Sequence, residues 1–221
     1  IIDEIGLVEI RAFASDPDVD LVVSLQSDSC VLQGSAVSAN GELNVSLEVS
    51  DPRLWSPSDP YLYQLNMSLN HQGKTVDSYS LEIGIRTIEI RGHEIYLNGE
   101  PIELKGFGRH EDSSVSGRGQ NLPLSVKDHN LMKWVGANSY RTAHYPYSEE
   151  DLFLADKHGF LVVDETPAVG LFFEGDRGQI EDRLTKCREQ VSEKLAQANS
   201  RGADSPRPHP ATPMPALALV W

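Results

Sequence analysis

Positive charge, cysteine and long apolar runs are all scarce in this 221-residue sequence. Lys and Arg number 19 against 33 Asp and Glu, a formal net charge of −14. Such a chain is repelled by phosphate backbones, and no Lys/Arg cluster interleaved with aromatics offsets the repulsion, so no nucleic-acid partner is expected. The acidity reads as a solvated surface. No apolar run approaches the roughly 20 residues of a membrane-spanning helix, so no membrane partner is expected either. Cys30 and Cys187 stand far apart in the sequence and form no Cys-x-x-Cys, giving no sign of a disulfide framework or a thiol metal or redox centre. His-Glu-x-x-His and tight Cys/His spacings are missing too, and no metal site is expected. The sequence opens on Ile1-Ile2-Asp3, with neither Met nor the basic and apolar regions of a signal peptide, and reads as lacking its natural N-terminus. The compartment stays open between cytoplasmic and secreted or lysosomal. Asn44-Val45-Ser46 and Asn66-Met67-Ser68 match the glycosylation sequon with Asn and Ser on the polar face of an alternating run; a chance match is the competing reading.

What is present falls into two patterns. From Leu7 to about Ile90, short alternating runs (Leu21–Gln26, Leu43–Val49, Tyr61–Leu69, Ser80–Ile90) are separated by Asp, Ser, Pro and Gly. In Leu43-Asn44-Val45-Ser46-Leu47 every second residue is apolar, the mark of a strand with one buried face. Turn signals every ten residues or so point to an antiparallel sandwich. Near Glu89 the pattern changes, through a hairpin about Leu97-Asn98-Gly99-Glu100 whose Asn-Gly pair accepts positive φ. Ile102–Phe107 is a candidate strand; Val126, Asn130, Leu131, Trp134 and Val135 recur at helical spacing; Ser139–Thr142 is a short strand. Ser148 can cap a helix whose first turn holds Glu149, Glu150 and Asp151 and which stops at Gly159. Phe160–Val163 is an unbroken apolar run, as in a strand buried on both faces. The order βαβαβ means a parallel sheet, either doubly wound or a closing barrel. Gln179–Ala198 has the charge pattern of an amphipathic helix, and Ser200–Pro215, with five prolines, reads as an irregular tail. The expected domains are a sandwich over 1–88, a parallel α/β unit over 89–175, and a helix with an irregular tail over 176–221.

In both parallel architectures chemistry sits just past the C-terminal strand ends. Those segments are Gly108-Arg109-His110-Glu111-Asp112, His144-Tyr145-Pro146-Tyr147 and Asp164-Glu165-Thr166. Three successive ends carrying His, Arg and carboxylates exceed what a purely structural sheet needs. Asp164 and Glu165, as strand neighbours, point to opposite faces, so unless the strand has already ended they cannot form the facing pair, about 5 Å apart, of a retaining glycosidase. At most one of them, the last before the loop, faces the site, or else it bonds an Arg such as Arg141; the two readings are equally open. For Arg141 and His144 a structural role is likewise the alternative.

The same segments carry a resemblance. Asn138-Ser139-Tyr140-Arg141-Thr142-Ala143-His144-Tyr145-Pro146, with Asp156-Lys157-His158-Gly159-Phe160-Leu161-Val162-Val163, resembles the first signature of family 2 glycoside hydrolases, which include β-galactosidases, β-mannosidases and β-glucuronidases. Asp151 departs from it, standing where an apolar residue is usual, which puts the start of that helix in doubt. Trp55-Ser56-Pro57, Pro60-Tyr61-Leu62-Tyr63 and Gly84-Ile85-Arg86-Thr87 resemble the family's sandwich and its exit into the barrel. The resemblance covers about residues 1–175 and implies an immunoglobulin-like sandwich followed by the first part of a (β/α)8 barrel. Gly106–Asp112, His144–Glu150 and Asp164–Gly170 look more like the β-glucuronidase branch than the β-galactosidase one. That branch implies retaining hydrolysis of terminal β-D-glucuronides by two glutamates, with no organic cofactor. By this resemblance the sugar-binding candidates are Arg141 and His144, with His110, Asp112 and Asp164 on the same rim. The sugar is the expected partner, with homo-oligomerisation of the full-length protein. The family's acid/base Glu follows an Asn, and no Asn-Glu occurs in this sequence. Leu217–Trp221 resembles the end of the strand before that motif, so the catalytic glutamates are expected to lie beyond the chain and the fragment to be inactive. The alternatives are another family 2 glycosidase of the β-galactosidase kind, or a non-catalytic carbohydrate-binding module.

Overall fold

A computed structural model describes residues 5–14, 18–38, 41–165 and 219–220. The chain divides into two compact units, the first running to Pro101 and the second starting at Ile102.

The first unit is a β-sandwich. Strands β1 (Ile5–Phe13) and β4 (Glu42–Ser50) pair antiparallel from Ile5↔Ser50 to Phe13↔Glu42. The facing sheet has the order β3 (Val31–Val37), β2 (Val19–Gln26), β5 (Tyr63–His71), β6 (Lys74–Ile83), all antiparallel. Alternation along each strand sends one set of side chains inward. Val8, Leu43, Val45 and Leu47 from one sheet meet Leu21, Val23, Leu25, Leu65 and Ile83 from the other in one buried core. Asn44 of the first sequon is exposed on β4; Asn66 of the second lies on β5 and accepts a hydrogen bond from Ser80 Oγ at 2.8 Å.

The expected single run Ser80–Ile90 is two strands. β6 ends at Ile83, and Gly84–Thr87 turns away before β7 (Ile88–Arg91) begins. The break has a packing cause: Trp55 is fully buried, Gly84 lies against its ring, and Trp55 N–H donates to the Ile85 carbonyl at 2.8 Å. β7 forms a small sheet with β8 (Glu94–Leu97) and β9 (Glu100–Ile102). Between β8 and β9 the Asn98-Gly99 turn has φ of 53° and 81°, the positive values an Asn-Gly pair adopts readily. Asn98 also ties the turn to the sandwich: its Oδ1 accepts from Thr87 N–H at 3.0 Å and its Nδ2 donates to the Trp55 carbonyl at 3.0 Å.

The second unit begins with β10 (Gly106–Arg109), then a small hairpin of β11 (Asp112–Ser113) and β12 (Gly117–Arg118), α1 (Leu122–Trp134), β13 (Ser139–Thr142), α2 (Glu149–His158) and β14 (Leu161–Asp164). β10, β13 and β14 are parallel neighbours, in register Gly106↔Ser139↔Leu161. Strand β10 starts later than the expected Ile102. The preceding segment is held by Asn138, whose side chain accepts from Lys105 N–H at 2.7 Å and donates to the Glu103 carbonyl at 2.9 Å. Helix α2 is capped as its sequence demands: Ser148 Oγ accepts from Asp151 N–H at 3.3 Å, three acids occupy the first turn, and Gly159 ends it at φ 80°. The departure at Asp151 therefore leaves the helix start intact. Leu219–Val220 (β15) pairs antiparallel with β14, so in this chain it does not extend the parallel order.

Helix α1 forms where apolar spacing places a helix, yet those apolar residues are not its buried face. Val126, Leu131, Trp134 and Val135 are exposed, while Ser125, His129 and Met132 are buried. The inward face receives a guanidinium from β10 and the rings of Tyr140 and Phe160, which select small and polar partners. Among the described residues no helix is long and apolar enough to cross a membrane. The expected helix over 179–198, the tail over 200–215 and Cys187 lie outside the described residues.

Candidate functional site

Parallel pairing brings the C-terminal ends of β10, β13 and β14 to one edge of the sheet, and each end delivers polar side chains there. From β13 and the loop after it come Arg141 and His144. Both meet Glu165, the residue just past β14: Arg141 Nη1 donates to Glu165 Oε1, and His144 Nδ1 lies 3.4 Å from Glu165 Oε2. From the β10 end comes His110, whose ring packs edge-on against His144 with centroids 5.1 Å apart. His110 Nδ1 is 3.8 Å from Asp112 Oδ2, and Asp112 in turn accepts from Arg118 Nε at 3.2 Å. The result is a continuous chain of contacts, Arg118–Asp112–His110–His144–Glu165–Arg141. Its members are between a quarter and three-quarters exposed, so they are open to a solute.

Four of the five expected binding residues, Arg141, His144, His110 and Asp112, thus lie in one constellation. The fifth, Asp164, is 3% exposed and accepts from Thr142 Oγ1 at 2.8 Å. The same hydroxyl accepts from Glu165 N–H at 2.8 Å, so Thr142 locks the end of β14 and sets where Glu165 begins. The carboxylate that pins Arg141 is therefore Glu165. The sequence offers it only as one of an adjacent pair, because which member turns toward the rim depends on where the strand stops.

Beneath this rim lies a buried polar hub that the sequence signalled only through the departure at Asp151. Arg109, 8% exposed, ends β10 and donates to Asp151 Oδ1 at 2.7 Å, to Ser125 Oγ at 2.8 Å and to Asp128 Oδ2 at 3.3 Å. Asp151, 1% exposed, accepts from the Tyr140 hydroxyl at 2.8 Å through its other oxygen. Burial works against the charge on Arg109, and Asp151, Tyr140 and Asp128 outweigh it, so its pKa lies above the ordinary value. Burial first, and then Asp151, push the Tyr140 phenol well above its usual range. Burial raises Glu111 too, partly offset by a hydrogen bond from Tyr145. His129, bonded through Nδ1 to the Ser125 carbonyl at 2.7 Å, is held neutral-favouring by burial.

Chemically, the rim offers Arg and His donors beside carboxylate acceptors, a bed suited to hydroxyl-rich ligands. Asp112, Asp151 and Glu165 are each tied to an arginine, and Asp164 to a threonine. None of these four is set up as a free acid facing a free nucleophile. No group of three or more His, Cys, Asp or Glu that could hold a metal ion occurs among the described residues.

Residues 8–86 match the model of glycosyl hydrolases family 2, and residues 88–214 match that of the family's TIM barrel domain. The chain belongs to glycosyl hydrolase family 2. Its sandwich is thus the family's immunoglobulin-like domain, and its parallel unit is the start of the family's TIM barrel. It is 42% identical over 171 residues to a β-glucuronidase of Paenibacillus borealis, covering 77% of this chain and 28% of that protein. To the β-glucuronidase of Mus musculus it is 43% identical over 145 residues, 63% of this chain and 22% of that protein. Among solved structures it is similar to the β-D-glucuronidase of Dictyoglomus thermophilum (TM-score 0.63, 38% identity, 80% of this chain and 31% of the other). It is also similar to a Bifidobacterium dentium β-glucuronidase complexed with coumarin-3-O-glucuronide (TM-score 0.64, 31% identity, 74% and 30%). The chain spans less than a third of the length of these relatives.

Proposed function

We propose that this chain supplies the sugar-facing rim of the first barrel strands in a retaining glycoside hydrolase that acts on terminal β-D-glucuronides, and that it does not itself turn such substrates over. The observation that carries the reading is the convergence of Arg141, His144 and His110 with Glu165 at the C-terminal strand ends, where barrel chemistry sits. The substrate class is supported by relatives that are β-glucuronidases, one of them solved with a coumarin glucuronide and another, from Ruminococcus gnavus, with D-glucuronic acid. Arg141 and His144 are the hydroxyl-binding groups in this reading, and His110 and Asp112 hold His144 in place from the β10 side. Asp164 acts from behind, through Thr142, rather than as an exposed ligand.

Retaining hydrolysis needs a carboxylic acid to protonate the leaving oxygen and a carboxylate about 5 Å away to form the glycosyl intermediate. Asp112 and Glu165 are committed to arginine and Asp164 to threonine, Glu111 accepts from Tyr145, and the sequence has no Asn-Glu. General acid catalysis alone is worth roughly 10²–10⁴-fold, and loss of covalent catalysis removes the remaining route. The expressed chain of residues 1–221 should therefore release no chromophore from a chromogenic β-glucuronide above the level of its Arg141→Ala variant. Turnover in the parent chain that the substitution abolishes would show that a catalytic pair lies within these residues.

A further inference from the structure

We propose that Asp151 is a positioning residue for this rim: by gripping Arg109 from α2, it fixes the loop after β13 that carries His144. The proposal rests on the reading of the rim as the sugar-facing surface, but the geometry behind it stands apart from any ligand. Arg109 works from both ends. Its guanidinium is bound by Asp151, Ser125 and Asp128, while its main-chain carbonyl accepts from Ala143 N–H at 3.0 Å and from the Tyr147 hydroxyl. Ala143 and Tyr147 bracket His144, Tyr145 and Pro146. Tyr147 is itself 1% exposed, and its ring lies 5.3 Å from the Arg109 guanidinium carbon. The residue after Arg109 is His110, which packs on His144. A shift of Arg109 therefore moves both histidines of the constellation.

Of the carboxylates holding Arg109, Asp151 is the one fully enclosed. Asp128 has 31% of its side chain exposed and makes the longer contact, 3.3 Å against 2.7 Å. Asp151 also holds Tyr140, the β13 residue just before Arg141, through its second oxygen. One carboxylate thereby links the end of β10 and the body of β13 to the first turn of α2. An enclosed charge with its partner removed is costly enough to drive rearrangement, so Arg109 should move toward Asp128 and water once Asp151 is gone.

The test is site-resolved amide exchange and proton NMR on the full 221-residue chain, comparing the parent with Asp151→Leu and Asp151→Asn. In Asp151→Leu, the Ala143 amide should exchange about tenfold faster or more, while the Leu161 amide, bonded to the Asn138 carbonyl at 2.9 Å at the other end of the sheet, keeps its protection. The ring contact between His110 and His144 should weaken in parallel. Asp151→Asn keeps the volume but gives up one acceptor oxygen, and should show the same selectivity in smaller measure. If Asp151 merely satisfies a buried cation, Ala143 and Leu161 will lose protection together or not at all in both variants, and the positioning role is overturned. Titrating the parent chain with methyl β-D-glucuronide separates the two readings: an absence of shifts at the rim would sink the sugar-facing assignment and leave the exchange result intact.

Discussion

Replacing Gly106 by alanine should dismantle the start of the parallel sheet while leaving the sandwich unchanged. A Cβ on Gly106 would sit 1.8 Å from the Ser139 carbonyl oxygen and 2.5 Å from its carbonyl carbon. These are backbone atoms of the paired strand, so no side-chain rotation relieves the overlap. The strands must separate, and with them go the register Gly106↔Ser139 and the hydrogen bonds that Asn138 and Ser139 donate to the Lys105 carbonyl. Overpacking usually costs about 1–3 kcal/mol when side chains can adjust, and a main-chain clash at the first pair of a four-residue strand belongs at or above the top of that range. Amide exchange at Ser139, Ala143 and Leu161 should rise sharply, with Val23 and Leu65 in the sandwich unaffected. Parent-like protection at Ser139 would show that the close approach is not a constraint on the fold.

In the sandwich unit the largest single loss is expected from Trp55→Ala. The indole is 0% exposed, and the Arg86 guanidinium lies 4.4 Å from its ring. Its main chain is held between the Ile85 carbonyl and the Asn98 side chain. Removing a large buried aromatic leaves a cavity that the surrounding strands cannot close, typically at a cost of about 3–5 kcal/mol. Spread over a domain of this size, that corresponds to a fall in melting temperature of very roughly 15–30 °C. Urea unfolding followed by circular dichroism measures it directly. A loss under about 1 kcal/mol would mean that Trp55 is not the plug between the β6 exit and the small meander.

The elements most legible in the sequence are those written by local chemistry. Two-residue alternation marks β2, β4 and β5; Ser148 and Gly159 mark both ends of α2; the unbroken Phe160–Val163 run marks β14; and Asn98-Gly99 marks a turn. What escaped depends on partners distant in sequence. The start of β10 is set by Asn138 binding Lys105 and Glu103, and the end of β6 by Trp55 packing on Gly84. Helical spacing places α1, yet its buried side is the polar one because Arg109 and the Tyr140 and Phe160 rings fill the space behind it. At the site, the strand ends and the expected Arg and His could be read from the order of elements and the signature. That Glu165 would take Arg141 while Asp164 turned inward could not, since it hinges on a single threonine hydroxyl bonded to both residues.

We infer that the ends of β10, β13 and β14 form a surface that faces a sugar. Titration of the uniformly labelled chain with methyl β-D-glucuronide tests it, with methyl β-D-galactoside as comparison. Saturable shifts should concentrate at His110, Arg141, His144 and Glu165, larger for the glucuronide and lost in Arg141→Ala. Shifts confined to the sandwich strands, or none at these four residues at saturating sugar, would rule out a sugar-facing surface at these strand ends.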